Sequence, residues 1–155
     1  MKKVTIILIV ILVLLSVFSI YFFGIGFSPT NLGQVFVNSV RESVRSYEMV
    51  DFNELADFQW DRMVIISPYS DVRQVLGEHG VRRPAPAHMR TGIRHSDFAV
   101  LLVFVLDNRV VSYVEYPVHH GDFRANRGAW YRGSTRFVSR TDEWGWVTMY
   151  HSRHE

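Results

Sequence analysis

The chain has no cysteine. That absence excludes disulfides, thiolate metal ligands, a cysteine nucleophile and lipoprotein-type acylation. Lysine is missing after Lys3, and no alanine occurs before Ala56. No internal repeat or low-complexity segment occurs, and there is no Gly-rich phosphate cradle, nucleophile elbow or kinase element. Ser112 and Ser134 stand in no context that would activate a nucleophile.

Charge is missing from one long stretch. Residues 4–27 carry no charged side chain. At about 1.5 Å rise per residue, a helix of that length crosses the roughly 30 Å hydrocarbon core of a bilayer. Met1-Lys2-Lys3 resembles the charged start of a secretory signal. A cleavable signal, however, has an apolar core of about 7–15 residues followed by small residues at the cleavage site. Here the run is longer, and Gly24-Ile25-Gly26 is the one weak candidate near its end. The expectation is an uncleaved, single-pass transmembrane signal anchor over residues 1–27, in contact with the lipid bilayer through residues 4–27. Lys2 and Lys3 favour a cytoplasmic amino terminus. Residues 28–155 would then be one extracytoplasmic domain at the cell membrane, long enough for a core of its own.

The seventeen basic residues include Lys2 and Lys3, which leaves fifteen Arg against fifteen acids. The charge is unevenly spread: residues 41–80 hold four Arg and eight acids, residues 81–155 eleven Arg and seven acids. The two halves either complement each other within the fold or leave a basic face.

Hydrophobic spacing predicts an α+β fold. Ser28-Pro29 reads as a helix start, and Leu32, Val35, Phe36, Val40, Val44 and Tyr47 continue at three- and four-residue steps. Asp51-Phe52-Asn53-Glu54 resembles a capping box. Met63 to Ile66 reads as a buried strand, ended by Pro68. Ser70 opens a second helix through Val72, Val75 and Leu76, with Gly77 or Gly80 as its stop. Val81 to Ser96 is a loop. Phe98 to Leu106 is the core strand, apolar on both faces, and returns through Asp107-Asn108 as Arg109 to Tyr116. On that return strand, Val110, Ser112, Val114 and Tyr116 fall on one face and Val111, Tyr113 and Glu115 on the other. Pro117 to Ser134 is a second loop. Thr135 to Thr141 and Trp144 to His151 form a last hairpin across Asp142-Glu143. The expected architecture is one small antiparallel sheet of about five strands, with two or three helices on one face.

Phe58-x-Trp60-Asp61, then Val64-Ile65-Ile66 and Pro68-Tyr69, resembles a pattern in small uncharacterised bacterial membrane-anchored proteins and lipoproteins. The likeness extends weakly to Leu106-Asp107-Asn108-Arg109-Val110-Val111 and Gly121-Asp122-Phe123. It implies an envelope protein and carries over no catalytic residue. The chain departs from the lipoproteins in lacking the acylated cysteine.

Both polar loops are rich in arginine and histidine and nearly free of acid. They are predicted to meet at one end of the central hairpin as an anionic-ligand rim of Arg82, Arg83, Arg90, Arg94, His119, His120, Arg124 and Arg127. Arginine forks suit phosphate and carboxylate. Neither a metal nor a cofactor is expected: adjacent histidines on a strand point to opposite faces, and His151-x-x-His154 reads as a solvated tail. Trp60 reads as core, with Asp61 capping or pairing locally, rather than as a pocket shared with Tyr69. The resulting expectation is a non-catalytic binding or assembly module of the bacterial cell envelope. Its partner would be an envelope protein or an anionic lipid or polymer, not nucleic acid. The alternative is an envelope hydrolase using His119 or His120 with Asp122.

Overall fold

A computed structural model of the chain describes residues 11–16, 28–81 and 89–152. Among them no helix is long and apolar enough to cross a membrane. This corrects the expected transmembrane anchor. Of the uncharged run only residues 11–16 are described; they are helical, and six residues of helix extend about 9 Å. The remainder of residues 1–27 lies outside the described residues.

Eight described strands form two sheets. They are β1 (Thr30–Asn31), β2 (Met49–Asp51), β3 (Arg62–Ile66), β4 (Ala99–Leu106), β5 (Arg109–Pro117), β6 (Gly128–Tyr131), β7 (Arg136–Thr141) and β8 (Val147–His151). The larger sheet has the order β1-β5-β4-β3-β6, and the smaller β2-β7-β8. Beyond the helical residues 11–16, the α-helices are α1 (Gly33–Tyr47), α2 (Phe52–Leu55) and α3 (Val72–Glu78).

The expected single antiparallel sheet is therefore corrected in three ways. The larger sheet is mixed, because β1 runs parallel to β5. The last hairpin joins β2 in a sheet of its own. The helices cover both faces. One face packs Phe36, Val37, Val40 and Val44 of α1, with Phe137 and Met149 of the small sheet, against Met63, Ile65, Leu102, Phe104 and Tyr116. The other packs Leu76 of α3, with Met89 and Ile93, against Val64, Ile66, Leu101 and Val103. The unbroken apolar runs of β3 and β4 require such cover, since a strand buried on both sides needs a layer on each.

Local chemistry explains the smaller differences. Helix α1 starts at Gly33 rather than Ser28, because Thr30 and Asn31 are taken up by β5 and the Asn31 side chain accepts the Gly33 N–H at 3.0 Å. Asp71, not Ser70, caps α3 through the N–H groups of Arg73 and Gln74. The central hairpin turns through Asp107 and Asn108, both at positive φ, as the sequence predicts. A bulge then breaks the alternation of β5: Phe104 pairs with Ser112 but Val105 with Val110. Val110 consequently joins Tyr113 in the second core, and Val111 packs against the first. Within the expected loop 117–134, β6 adds to the free edge of β3.

Candidate functional site: a basic cleft between helix and small sheet

The two arginine-rich loops do leave the central hairpin at one end, since Ala99 pairs with Pro117. They then turn to opposite faces of the sheet. Met89 and Ile93 anchor the first loop in one core, while Val118 and Phe123 anchor the second in the other. The sheet thus separates what the sequence joins. Arg82 and Arg83 lie outside the described residues. Arg90 is exposed, with its backbone N–H on the Tyr113 hydroxyl. Arg94 faces Asp71 at 3.8 Å. Arg127 borders a recess with Glu78 and His79. The Nε of Arg124 lies 3.0 and 2.9 Å from the two oxygens of Asp122, and its Nη2 lies 2.7 Å from one of them. This bonding raises the Arg124 pKa.

Only His119 and His120 of the expected rim come together, and they do so elsewhere. They occupy a 3-10 turn, Val118–His120, directly after β5. A turn of three residues per revolution sets successive side chains about 120° apart rather than the 180° of a strand, and the two ring centroids are 4.0 Å apart. The turn is held from beneath: Val118 is buried, and the buried Tyr116 hydroxyl donates to the His120 carbonyl at 2.9 Å. Gly121 follows at φ 144, where a Cβ would stand 3.3 Å from the Met149 sulfur. A glycine alone fits both the conformation and the space.

These histidines form one wall of a cleft of about 360 Å3, lined also by Arg41, Arg45, Glu48, Ser139, Thr141, Val44 and Val147. Its second wall is α1. Val37, Val40 and Val44 face the core, and Arg41 and Arg45, four residues apart, share the flank beside that stripe. Glu48 ends the helix in left-handed conformation, and its carbonyl accepts the Ser139 N–H at 2.7 Å. The floor comes from β7. Alternate residues of a strand share a face, so Ser139 and Thr141 continue the inward row begun by Phe137. The row changes from apolar to hydroxyl where the small sheet outruns the core.

The cleft is electropositive. Burial, then the neighbouring His119, then Arg41 hold the His120 pKa below its usual 6.5. The Nε of Arg41 is shut off from solvent and has no hydrogen-bond partner. Among the described residues neither Arg41 nor Arg45 forms an ion pair, although Glu48 lines the same cleft. Sequence reasoning missed Arg41, Arg45, Ser139 and Thr141. The available signals were the four-residue arginine spacing beside a valine stripe, and hydroxyls at inward positions after Phe137.

The other candidates have structural work. Trp60 is buried against Phe104 with ring centroids 5.4 Å apart. Asp61 braces the central hairpin at the Asp107 N–H. Tyr69 is exposed at φ 60. His151 lies 3.2 Å from the Ser134 hydroxyl, but the same Nε2 lies 3.0 Å from the Ser134 carbonyl. A carbonyl only accepts, so that nitrogen donates and does not serve Ser134 as a base. Among the described residues no group of three or more His, Asp or Glu is arranged to hold a metal. No protein-family model, curated protein or solved structure matches the chain.

Proposed function

We propose that this protein is a non-catalytic binding module of the cell envelope that takes an anionic group, phosphate or carboxylate, into the cleft of Arg41, Arg45, His119, His120, Ser139 and Thr141. The observation that carries the reading is the gathering of Arg41, Arg45, His119 and His120 around one cleft, with neither arginine in an ion pair among the described residues. An anion in the cleft would meet their positive charge through charge-assisted hydrogen bonds, about twice as strong as neutral ones. Two arginine forks and two hydroxyl donors suit a tetrahedral or planar oxyanion.

The hydrolase reading draws less support. Asp122 would have to orient an imidazole, yet both its oxygens are engaged by Arg124. A titration of the full-length chain with inorganic phosphate, followed through the imidazole resonances of His119 and His120, tests the proposal. Saturable shifts in the wild type that vanish in the Arg41→Ala, Arg45→Ala double variant are expected. Unmoved resonances in the folded wild type would refute it.

A further inference from the structure

The hairpin that supplies the cleft floor also carries the most exposed aromatic side chain among the described residues. Trp144 is 85% exposed and Trp146 39%. They sit on the β7–β8 turn, whose flanking residues Thr141 and Val147 line the cleft. The turn is not a loose end. The Asp142 N–H donates to the Trp146 carbonyl, and the Gly145 N–H to the Asp142 carbonyl, both at 3.0 Å. The Asp142 carboxylate accepts the N–H groups of Trp144 at 3.0 Å and Trp146 at 2.8 Å. Gly145 provides the positive φ of 79° that the turn needs. Four hydrogen bonds therefore hold a tip whose indole has no cover.

Arginines border this tip, although Arg124 carries its own counter-charge in Asp122 at 2.7 Å. The Arg124 guanidinium stands 6.0 Å from the Trp146 ring, and Arg140 stands 5.1 Å from the Tyr150 ring on the same hairpin. Arg41 and Arg45 lie in the adjoining cleft. Glu143 is exposed beside Trp144 and opposes them, whereas Asp142 is turned onto the turn's own N–H groups. Indole rings partition to the boundary between hydrocarbon and water, and arginines near that boundary favour anionic head groups.

We propose that the β7–β8 tip seats the domain on an anionic phospholipid surface, with Trp144 and Trp146 entering the interface while the adjoining cleft takes a lipid head-group phosphate. This assignment rests on the anion-binding reading of the cleft and adds the class of ligand, a membrane amphiphile. It concerns a peripheral contact made by a folded hairpin and does not involve a membrane-crossing helix.

The test uses the full-length chain on vesicles whose acyl chains are brominated, so that an indole reaching the interface is quenched. Phosphatidylcholine vesicles are compared with mixtures of phosphatidylcholine and phosphatidylglycerol. Quenching is expected to be stronger with phosphatidylglycerol, to be lost for the most part in Trp144→Phe, and to fall in the Arg41→Ala, Arg45→Ala double variant. Trp60 and Trp130 belong to the packed interior and its margin, so they supply a constant background.

Quenching that is unchanged in Trp144→Phe, or equal in the two lipid compositions, overturns the inference. A concentration-dependent dimer abolished by Trp144→Phe, without quenching, also overturns it and assigns the tip to a second copy. The phosphate titration separates the two claims. If inorganic phosphate moves His119 and His120 while Trp144 stays unquenched, the lipid assignment fails and the cleft reading stands. If phosphate moves neither, the cleft reading itself fails.

Discussion

The Asp61 carboxylate accepts the backbone N–H of Asp107 at 2.8 Å across 46 residues of sequence. The same residue also bonds through its main chain: its N–H donates to the Val105 carbonyl and its carbonyl accepts from the Arg132 N–H, both at 2.8 Å. Arg132 in turn lies over the Trp60 ring at 5.2 Å. The Trp-Asp pair therefore locks three chain segments at one end of the central hairpin, and its distinctiveness in the sequence reflects architecture rather than a pocket.

Replacing Asp61 by alanine leaves the Asp107 N–H without that acceptor, at a turn where Asp107 and Asn108 both have positive φ. A loss of about 0.5–1.5 kcal/mol is expected, the net contribution of one hydrogen bond at an exposed turn where water can take the acceptor's place. Urea unfolding of wild type and variant measures it. An unchanged midpoint would show that the turn holds its shape without the bond.

Phe104 is fully buried and lies within 6.2 Å, ring centre to ring centre, of Phe36, Phe52, Phe58 and Trp60. It therefore joins α1, α2, the Trp60 segment and the large sheet. Phe104→Ala is expected to cost about 3–5 kcal/mol, a large share of the roughly 5–15 kcal/mol typical of a domain. Thermal melting reads it out, and a shift of only about 1 °C would contradict the central position of this side chain.

How far the sequence could be read depends on the range of the interaction responsible. The hairpin of β4 and β5 is local: an unbroken apolar run, two residues tolerant of positive φ, then a returning strand. It was legible for that reason. The bulge at Val111 was not, because it inserts one residue without any mark of glycine or proline. The direction each arginine loop takes was equally hidden, since it depends on which core accepts Ile93 and which accepts Phe123. His119 and His120 looked divergent on strand geometry and converge because Val118 starts a 3-10 turn. The cleft needed α1 and β7 brought together across more than ninety residues, and no local pattern announces that.

The cleft predicts opposite pH effects with and without an anion. His120 has its pKa held below 6.5 by burial, His119 and Arg41. The groups that share its cleft are Arg41 and Arg45 from α1, Glu48 just beyond the end of α1, His119 from its own turn, and Ser139 and Thr141 from β7, with the Tyr116 hydroxyl of β5 on its carbonyl. With no anion bound, the unfolded chain takes up the proton more readily than the folded one. The stability contributed by neutral His120 is therefore present above 6.5 and lost as pH falls below it. A bound anion favours the imidazolium, so anion affinity should rise over the same fall in pH. Melting temperatures of wild type and His120→Gln, with and without sulfate, should diverge in opposite directions below about pH 6.5. Equal pH slopes with and without sulfate would contradict this coupling.

The most direct test of the account is the affinity of the full-length protein for inorganic phosphate by calorimetry, wild type against the Arg41→Ala, Arg45→Ala double variant. Removing two charge-assisted partners at about 1.5–3 kcal/mol each should weaken binding by at least about a hundredfold, with the melting temperature nearly unchanged because both side chains lie beside the buried valine stripe rather than in it. Binding of equal strength in both proteins, with both folded, would contradict the assignment of the cleft.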